Sequence, residues 1–344
     1  MSSGRLSVGV VGGSGYVGGE LVRLIEGHPD LHLLQVTSES LANTYVHHKH
    51  PNLRGRRPLK FRSIRDLEPC DVLFVGLPHG KSGEYGARFE SLCTYMVDLG
   101  ADHRLRDPEL RNEYYPRLTE GPPFVYGLPE LNRSEIEGAR RVAGPGCTAA
   151  ATILALLPLA RAGVLSGGPV VVEVKVGSSA AGASVNPSTH HPERSGVMRS
   201  FAPAGHRHEA EVLQALDLAP GTLHYSATAV EAVRGVLATA HCFPAEALGE
   251  RDLWRIYRES YRDEPFVRIV REKRGLYRYP EPKILSGTNF CEVGFALDPR
   301  SDRIVAMAAL DNLGKGAAGG AIQSLNLMAG LPEARGLEFI GLHP

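Results

Sequence analysis

Cys147 stands in Ala143-Gly144-Pro145-Gly146-Cys147-Thr148, directly after a Gly-Pro-Gly turn and at the start of an apolar stretch, 149–160, with the pattern of a helix. A free thiol has a pKa of about 8.5, and a helix N-terminus with a nearby cation lowers it. A cysteine in that place is expected to be mostly thiolate at neutral pH, with the helix amides free to hold an oxyanion. A nucleophilic thiol needs a proton acceptor, and Gly205-His206-Arg207-His208-Glu209-Ala210-Glu211 supplies two imidazoles. If a helix begins there, His208 and Glu211 share one face, so the carboxylate would orient the ring while His206 faces elsewhere, toward substrate. His206, His208 and Glu211 also permit a metal reading. The paired Cys/His spacing of a zinc site is absent, and no metal is expected.

A second constellation lies at the N-terminus. A strand-like run, 6–11, leads into Gly12-Gly13-Ser14-Gly15-Tyr16-Val17-Gly18, which contains Gly13-x-Gly15-x-x-Gly18 ahead of a helical pattern. Glycines there permit a tight turn and let a pyrophosphate approach the N–H groups of a helix N-terminus. A glycine-rich turn can also be a plain strand-to-helix connection, but strand, turn and helix arrive in the order a nucleotide requires. At the end of the next strand an acidic residue ordinarily takes the ribose 2′-hydroxyl of NAD. Here Thr37-Ser38-Glu39-Ser40 offers hydroxyls suited to the 2′-phosphate of NADP, with Glu39 leaving NAD open.

These residues must be positioned by a sizeable chain. Its 344 residues, 43% apolar, suggest two domains with a core in each. With 38 basic and 38 acidic side chains there is no basic excess for a nucleic-acid backbone. The apolar run 149–160 is too short for a membrane span. The start, Met1 to Arg5, passes at once into a strand-like run, so neither a signal peptide nor export is expected, and the five scattered cysteines fit reduced thiols in a cytoplasm.

Up to Cys147, apolar runs at 6–11, 33–37, 72–77, 95–99 and 141–143 alternate with amphipathic stretches such as 17–26 and 82–91. Such alternation predicts βαβ units and a parallel, doubly wound sheet. Beyond a helix reaching about residue 162, the runs 170–176, 223–230, 235–243, 290–297 and 303–310 predict a mainly antiparallel sheet with few helices. The small residues of 314–320 lead into a helix-like 321–328 that is expected to pack back on the first domain.

Seven ordered motifs resemble the N-acetyl-gamma-glutamyl-phosphate reductases and their lysine-pathway relatives, which act on LysW-bound aminoadipyl phosphate. They are Gly13-x-Gly15-Tyr16-x-Gly18-x-Glu20, Leu77-Pro78-His79-Gly80, Asp98-Leu99-Gly100-Ala101-Asp102-His103-Arg104, Tyr126-Gly127-Leu128-Pro129-Glu130-Leu131, Pro145-Gly146-Cys147, His206-Arg207-His208, and 312–318. Gly144-Pro145-Gly146-Cys147-Thr148 resembles the lysine branch rather than the Asn-Pro-Gly-Cys-Tyr of the arginine branch.

The resemblance implies an α/β protein: a Rossmann-type NADP-binding domain, 1–147 and 311–344, plus an α+β catalytic and dimerisation domain, 148–310, with a mainly antiparallel sheet. It implies Cys147 as nucleophile, His208 as acid/base and His206 as a substrate contact, with Arg104, Lys175 and Glu211 at the substrate. Gly13 to Gly18, with Ser14, Gly15, Tyr16 and Val17, would hold the pyrophosphate of NADP. Ser38, Glu39 and Ser40 would meet its adenosine end and Asn312 its nicotinamide side. The implied partners are an acyl phosphate on a small acidic carrier of LysW type and further copies of the chain, as a homodimer or homotetramer. Arg54, Arg56, Arg57, 46–51 and 190–194 would form a basic rim for that carrier. A free N-acetylglutamyl phosphate, or a cysteine hydrolase without nucleotide, are the alternatives.

Overall fold

The computed structural model describes residues 4–116, 118 and 121–343. The expectation about the chain's start therefore falls partly outside the described residues. Two sheets organise the molecule. The first contains β1 (Leu6–Val11), β2 (Leu31–Val36), β3 (Cys70–Val75), β4 (Cys93–Asp98), β5 (Val125–Tyr126) and β6 (Arg141–Ala143) in the order β2-β1-β3-β4-β6-β5. Every pairing is parallel. Val8, Val10, Val72, Phe74, Val97 and Val142 lie in its core because a parallel sheet is covered on both faces. The order reverses at β1, where chains leave neighbouring strands in opposite directions and open a crevice at their carboxyl ends. The glycine turn, 76–79, Leu99 and Gly144 all emerge on that side.

The second sheet contains β7 (Val170–Val176), β8 (Met198–Ala202), β9 (Leu223–Val230), β10 (Val236–Cys242), β11 (Val267–Ile269), β12 (Cys291–Leu297) and β13 (Ile304–Leu310), in the order β11-β12-β13-β10-β7-β9-β8. Four of its six pairings are antiparallel, and β11/β12 and β7/β9 are parallel. Alternation sets the faces: Val170, Val172, Val174 and Val176 of β7 are buried, while Val171, Glu173 and Lys175 point to the other side. The inner face packs on the helix Cys147–Arg161, whose residues from Thr148 to Leu159 are all buried. A helix buried all round needs small and aliphatic side chains on every face, which Ala149 to Leu157 supply.

The last helix, Gly319–Met328, joins the first core through Ala321, Ile322, Leu325 and Met328, and a π-helical turn, Gly314–Ala318, precedes it. One expectation needs correction: the second half holds a further amphipathic helix, Glu250–Tyr261, which buries Leu253, Ile256, Tyr257 and Tyr261. Its apolar residues recur at helical spacing, but intervening arginines and glutamates masked the stripe. The strand Met198–Ala202 has an exposed burial pattern and carries no alternation to reveal it. Among the described residues no helix is long and apolar enough to cross a membrane.

Candidate active site

A cavity of about 570 Å³ runs along the carboxyl ends of the first sheet to the N-terminus of the helix Cys147–Arg161. Its far end is the glycine turn. A Cβ on Gly18 would stand 2.5 Å from the Gly12 carbonyl oxygen, so the turn closes only around a bare α-carbon. The helix Tyr16–Gly27 starts there with no side-chain cap, leaving its first amides facing a cavity lined by Ser14, Gly15, Tyr16 and Val17. That cradle fits a dinucleotide pyrophosphate. Ser38 donates to Ser14 Oγ at 2.8 Å and stands 3.4 Å from Ser40 Oγ. The Glu39 carboxylate accepts the Ile64 N–H at 2.6 Å and the Ser63 hydroxyl at 3.2 Å, so it is engaged by the neighbouring turn.

At the other end, Cys147 is half-buried and lines the cavity with His79, Arg207 and His208. Behind it lies a closed set of bonds. Glu211, fully buried, accepts the Gly146 N–H at 2.9 Å, the Tyr126 hydroxyl at 2.8 Å and the Tyr115 hydroxyl at 3.3 Å. Arg104 donates to Glu211 Oε1 at 3.0 Å, to the Gly144 carbonyl at 2.8 Å and to the Leu99 carbonyl at 2.9 Å. The turn before the cysteine is thereby held at both Gly144 and Gly146. His208 opens its own helix, His208–Leu216, and its Nδ1 is 2.5 Å from Thr148 Oγ1. Its ring lies over Gly146, where a Cβ would stand 2.4 Å from Nε2. Gly316 of the π-helical turn similarly leaves room for the Cys147 Cβ, 2.8 Å from where a side chain would start.

Electrostatics corrects the expected ionisation. Burial pushes the Cys147 thiol up to about 11, outweighing Arg104 and the Thr148 amide, both of which favour the thiolate. The cation that should hold the thiolate is already paired with Glu211, whose charge pushes the thiol further up. At rest Cys147 is therefore a thiol. Burial, reinforced by His206, Arg104 and Arg207, holds His208 well below the usual imidazole range, so it is a neutral base.

Several expected substrate contacts lie elsewhere. Lys175 is on the outer face of the second sheet and does not line the cavity. Arg104 does line the cavity, with its guanidinium bonded to Glu211 and to the Gly144 and Leu99 carbonyls; Glu211 does not line it and is 3.9 Å from His208 Nε2, too far to orient it by a hydrogen bond. The atom beside the His208 ring is the hydroxyl of Thr148. His206 stacks on Tyr225 with ring centroids 5.6 Å apart and does not line the cavity. Asn312 lines it, but its amide is tied to Ser179 Oγ at 2.9 Å and to the Gly235 N–H at 2.8 Å. Sequence reasoning passed over two cavity residues, His79 and Arg207, and the buried Thr148 that meets His208. Arg207 is exposed and, among the described residues, has no carboxylate within 4.0 Å. It stood in view inside His206-Arg207-His208.

Comparison with known proteins places this geometry. A model of the semialdehyde dehydrogenase NAD-binding domain matches residues 7–139, and one of the semialdehyde dehydrogenase dimerisation domain matches residues 147–312. A Deinococcus radiodurans protein named LysW-L-2-aminoadipate 6-phosphate reductase is 47% identical, each chain covered in full (100%). A Thermomicrobium roseum relative, provisionally named for the same reductase, is 53% identical over 98% of this chain and 99% of its own. Among solved structures, aspartate semialdehyde dehydrogenase II of Vibrio cholerae, complexed with ASA, superposes with a TM-score of 0.72 at 15% identity, over 95% of this chain and 99% of that one, a likeness of fold. The cysteine turn, the glycine cradle and the two-sheet architecture are thus those of an oxidoreductase, and the chain belongs to the semialdehyde dehydrogenase family.

Proposed function

We propose that this chain reduces an acyl phosphate to a semialdehyde with NADPH through a thioester on Cys147, and that the acyl group is aminoadipate attached to a small acidic carrier of LysW type. The observation that carries the reading is a single cavity holding the glycine cradle, Cys147, a neutral His208 and the exposed Arg207, which has no carboxylate partner among the described residues. Cys147 Sγ attacks the acyl carbon as His208 takes the thiol proton, phosphate leaves, and the acyl group remains as a thioester. Proton transfer by a placed base is typically worth about 10² to 10⁴ in rate. Arg207, rather than Arg104 or Lys175, holds the departing phosphate. The dinucleotide, when bound, supplies the hydride that brings the thioester to the aldehyde level. The hemithioacetal on Cys147 then collapses, releasing the aldehyde, and His208 returns its proton to Sγ.

Ser14, Tyr16 and Val17 hold the pyrophosphate, and the Ser38 and Ser40 hydroxyls receive the 2′-phosphate of NADP while Glu39 is occupied by Ser63 and Ile64. The carrier reading draws on the relatives' names and on a second cavity of about 740 Å³ that shares Tyr16, Ser179 and 182–184 with the first and is lined by His190, His191 and Arg194. Assembly as a homodimer or homotetramer is assigned to the outer face of the second sheet, where Val171 and Lys175 lie. A Haloarcula marismortui relative, 50% identical, carries a name covering both aminoadipate and glutamate on LysW. A single methylene is worth only about 1 to 3 kcal/mol of discrimination, so both chain lengths are candidates. Phosphate-dependent NADP reduction is to be measured with carrier-linked aminoadipate semialdehyde and with free N-acetylglutamate semialdehyde. The carrier-linked aldehyde should win in kcat/KM by more than about tenfold. The reverse ranking would assign the arginine-type substrate instead.

A further inference from the structure

His50 belongs to the segment 46–51, which its cations marked as a rim for the carrier, yet it lines neither the cavity nor its neighbour. It sits beneath the glycine turn. Its Nε2 is 2.7 Å from the Gly13 carbonyl oxygen, and because a carbonyl only accepts, Nε2 carries the proton. The backbone of His50 is held on both sides, its amide N–H bonding to the Val46 carbonyl at 2.9 Å and its carbonyl accepting the Leu53 N–H at 3.0 Å, while Phe61 meets the ring edge-on at 6.4 Å. The space it fills is kept by Gly19, where a Cβ would stand 2.4 Å from Cε1 and 2.6 Å from Nδ1. A glycine inside a helix is unfavourable, and here the imbedded ring explains it.

The Gly13 carbonyl and the Ser14 N–H belong to one trans peptide, in which the two groups point in opposite directions. A donor that fixes the carbonyl therefore fixes the amide. The neighbouring glycine amides are already bonded: Gly12 N–H to Thr37 Oγ1 at 3.3 Å, Gly13 N–H to the Thr37 carbonyl at 2.8 Å and Gly15 N–H to the Gly12 carbonyl at 3.2 Å. We infer that His50 is a positioning residue for the dinucleotide, its bond to Gly13 O turning the Ser14 N–H away from His50 and toward the pyrophosphate, with Gly19 kept bare to admit it. Burial holds its imidazole below the ordinary range, in keeping with a neutral ring that donates through Nε2.

The inference rests on the glycine turn being the NADP site, so wild-type NADPH binding, read by quenching of protein fluorescence, is the first measurement; no binding there would fault that reading and not the role of His50. Given binding, His50→Ala should raise the NADPH Kd by about tenfold, the worth of one well-oriented bond, while kcat at saturating NADPH and the phosphate KM stay within about twofold. His50→Gln, which keeps a donor near the Nε2 position, should recover most of the loss. Gly19→Ala should weaken NADPH binding in the wild type yet add nothing to His50→Ala, since the ring it would strike is gone. An NADPH Kd within twofold of wild type for His50→Ala overturns the inference. So does a His50→Gln protein as weak as the alanine variant, or a loss that falls equally on kcat and the phosphate KM.

Discussion

Glu211 and Arg104 form an ion pair of 3.0 Å directly behind the cysteine turn, and both are almost fully buried. Each also grips that turn, Glu211 at the Gly146 amide and Arg104 at the Gly144 carbonyl. Removing one partner would strand the other charge in the interior, which typically costs about 3 to 5 kcal/mol. Glu211→Ala should lower stability by that order in denaturant unfolding. Glu211→Gln keeps an acceptor and should fall less, and with Arg104 no longer neutralised its Cys147 should alkylate at lower pH than wild type. A Glu211→Ala protein as stable as wild type would contradict the arrangement.

The resting thiol gives a sharp pH signature. With Cys147 pushed up to about 11, iodoacetamide alkylation of the free enzyme should climb steadily through pH 8 to about 10. A plateau near pH 7 would mean that the site holds a thiolate after all. Cys147→Ser should abolish turnover and leave NADPH binding within a few-fold, whereas loss of both would make the cysteine structural.

Arg207 and Lys175 separate two readings of the phosphate contact. Arg207→Ala should raise the phosphate KM about tenfold or more in the oxidative direction, because the cavity then loses its exposed guanidinium, which among the described residues has no carboxylate partner. Lys175→Ala, altered on the far face of the sheet, should leave that KM within about twofold. The opposite result would return Lys175 to the site.

Stability should fall in mild acid. The His206 imidazole is lowered from 6.5 to about 4 by burial and by Arg207, and His208 is also lowered well below 6.5, chiefly by burial. Between those values the unfolded chain binds protons that the folded one refuses, so stability is full above pH 6.5 and is lost as pH falls from 6.5 toward 4. The melting temperature should drop over that window, and less steeply in His206→Asn. Equal slopes for the two proteins would exclude His206 as a contributor.

Much of the site was legible because its signals are local. The glycine spacing, the cysteine at a helix start and the histidine pair each occupy fewer than ten consecutive residues, and the βαβ alternation is a periodicity within single elements. The outward Lys175 was legible too, since valines at 170, 172, 174 and 176 take the buried face of β7 and parity then sends Lys175 the other way. No local pattern announced the commitment of Glu211, because it is made to residues 126, 146 and 104, brought together only when the two sheets dock.

The ionisation of Cys147 belongs to the folded protein for a related reason. Sequence supplies the helix that favours a thiolate, but the depth of burial and the pairing of Arg104 decide the outcome, and both depend on distant segments. His50 makes the same point from the other side: in the sequence it is one histidine among several, and its place beneath Gly13 exists only once the chain between them has folded back. Local order thus marks which side chains are present at the site, while packing between separated segments assigns each its partner and its charge.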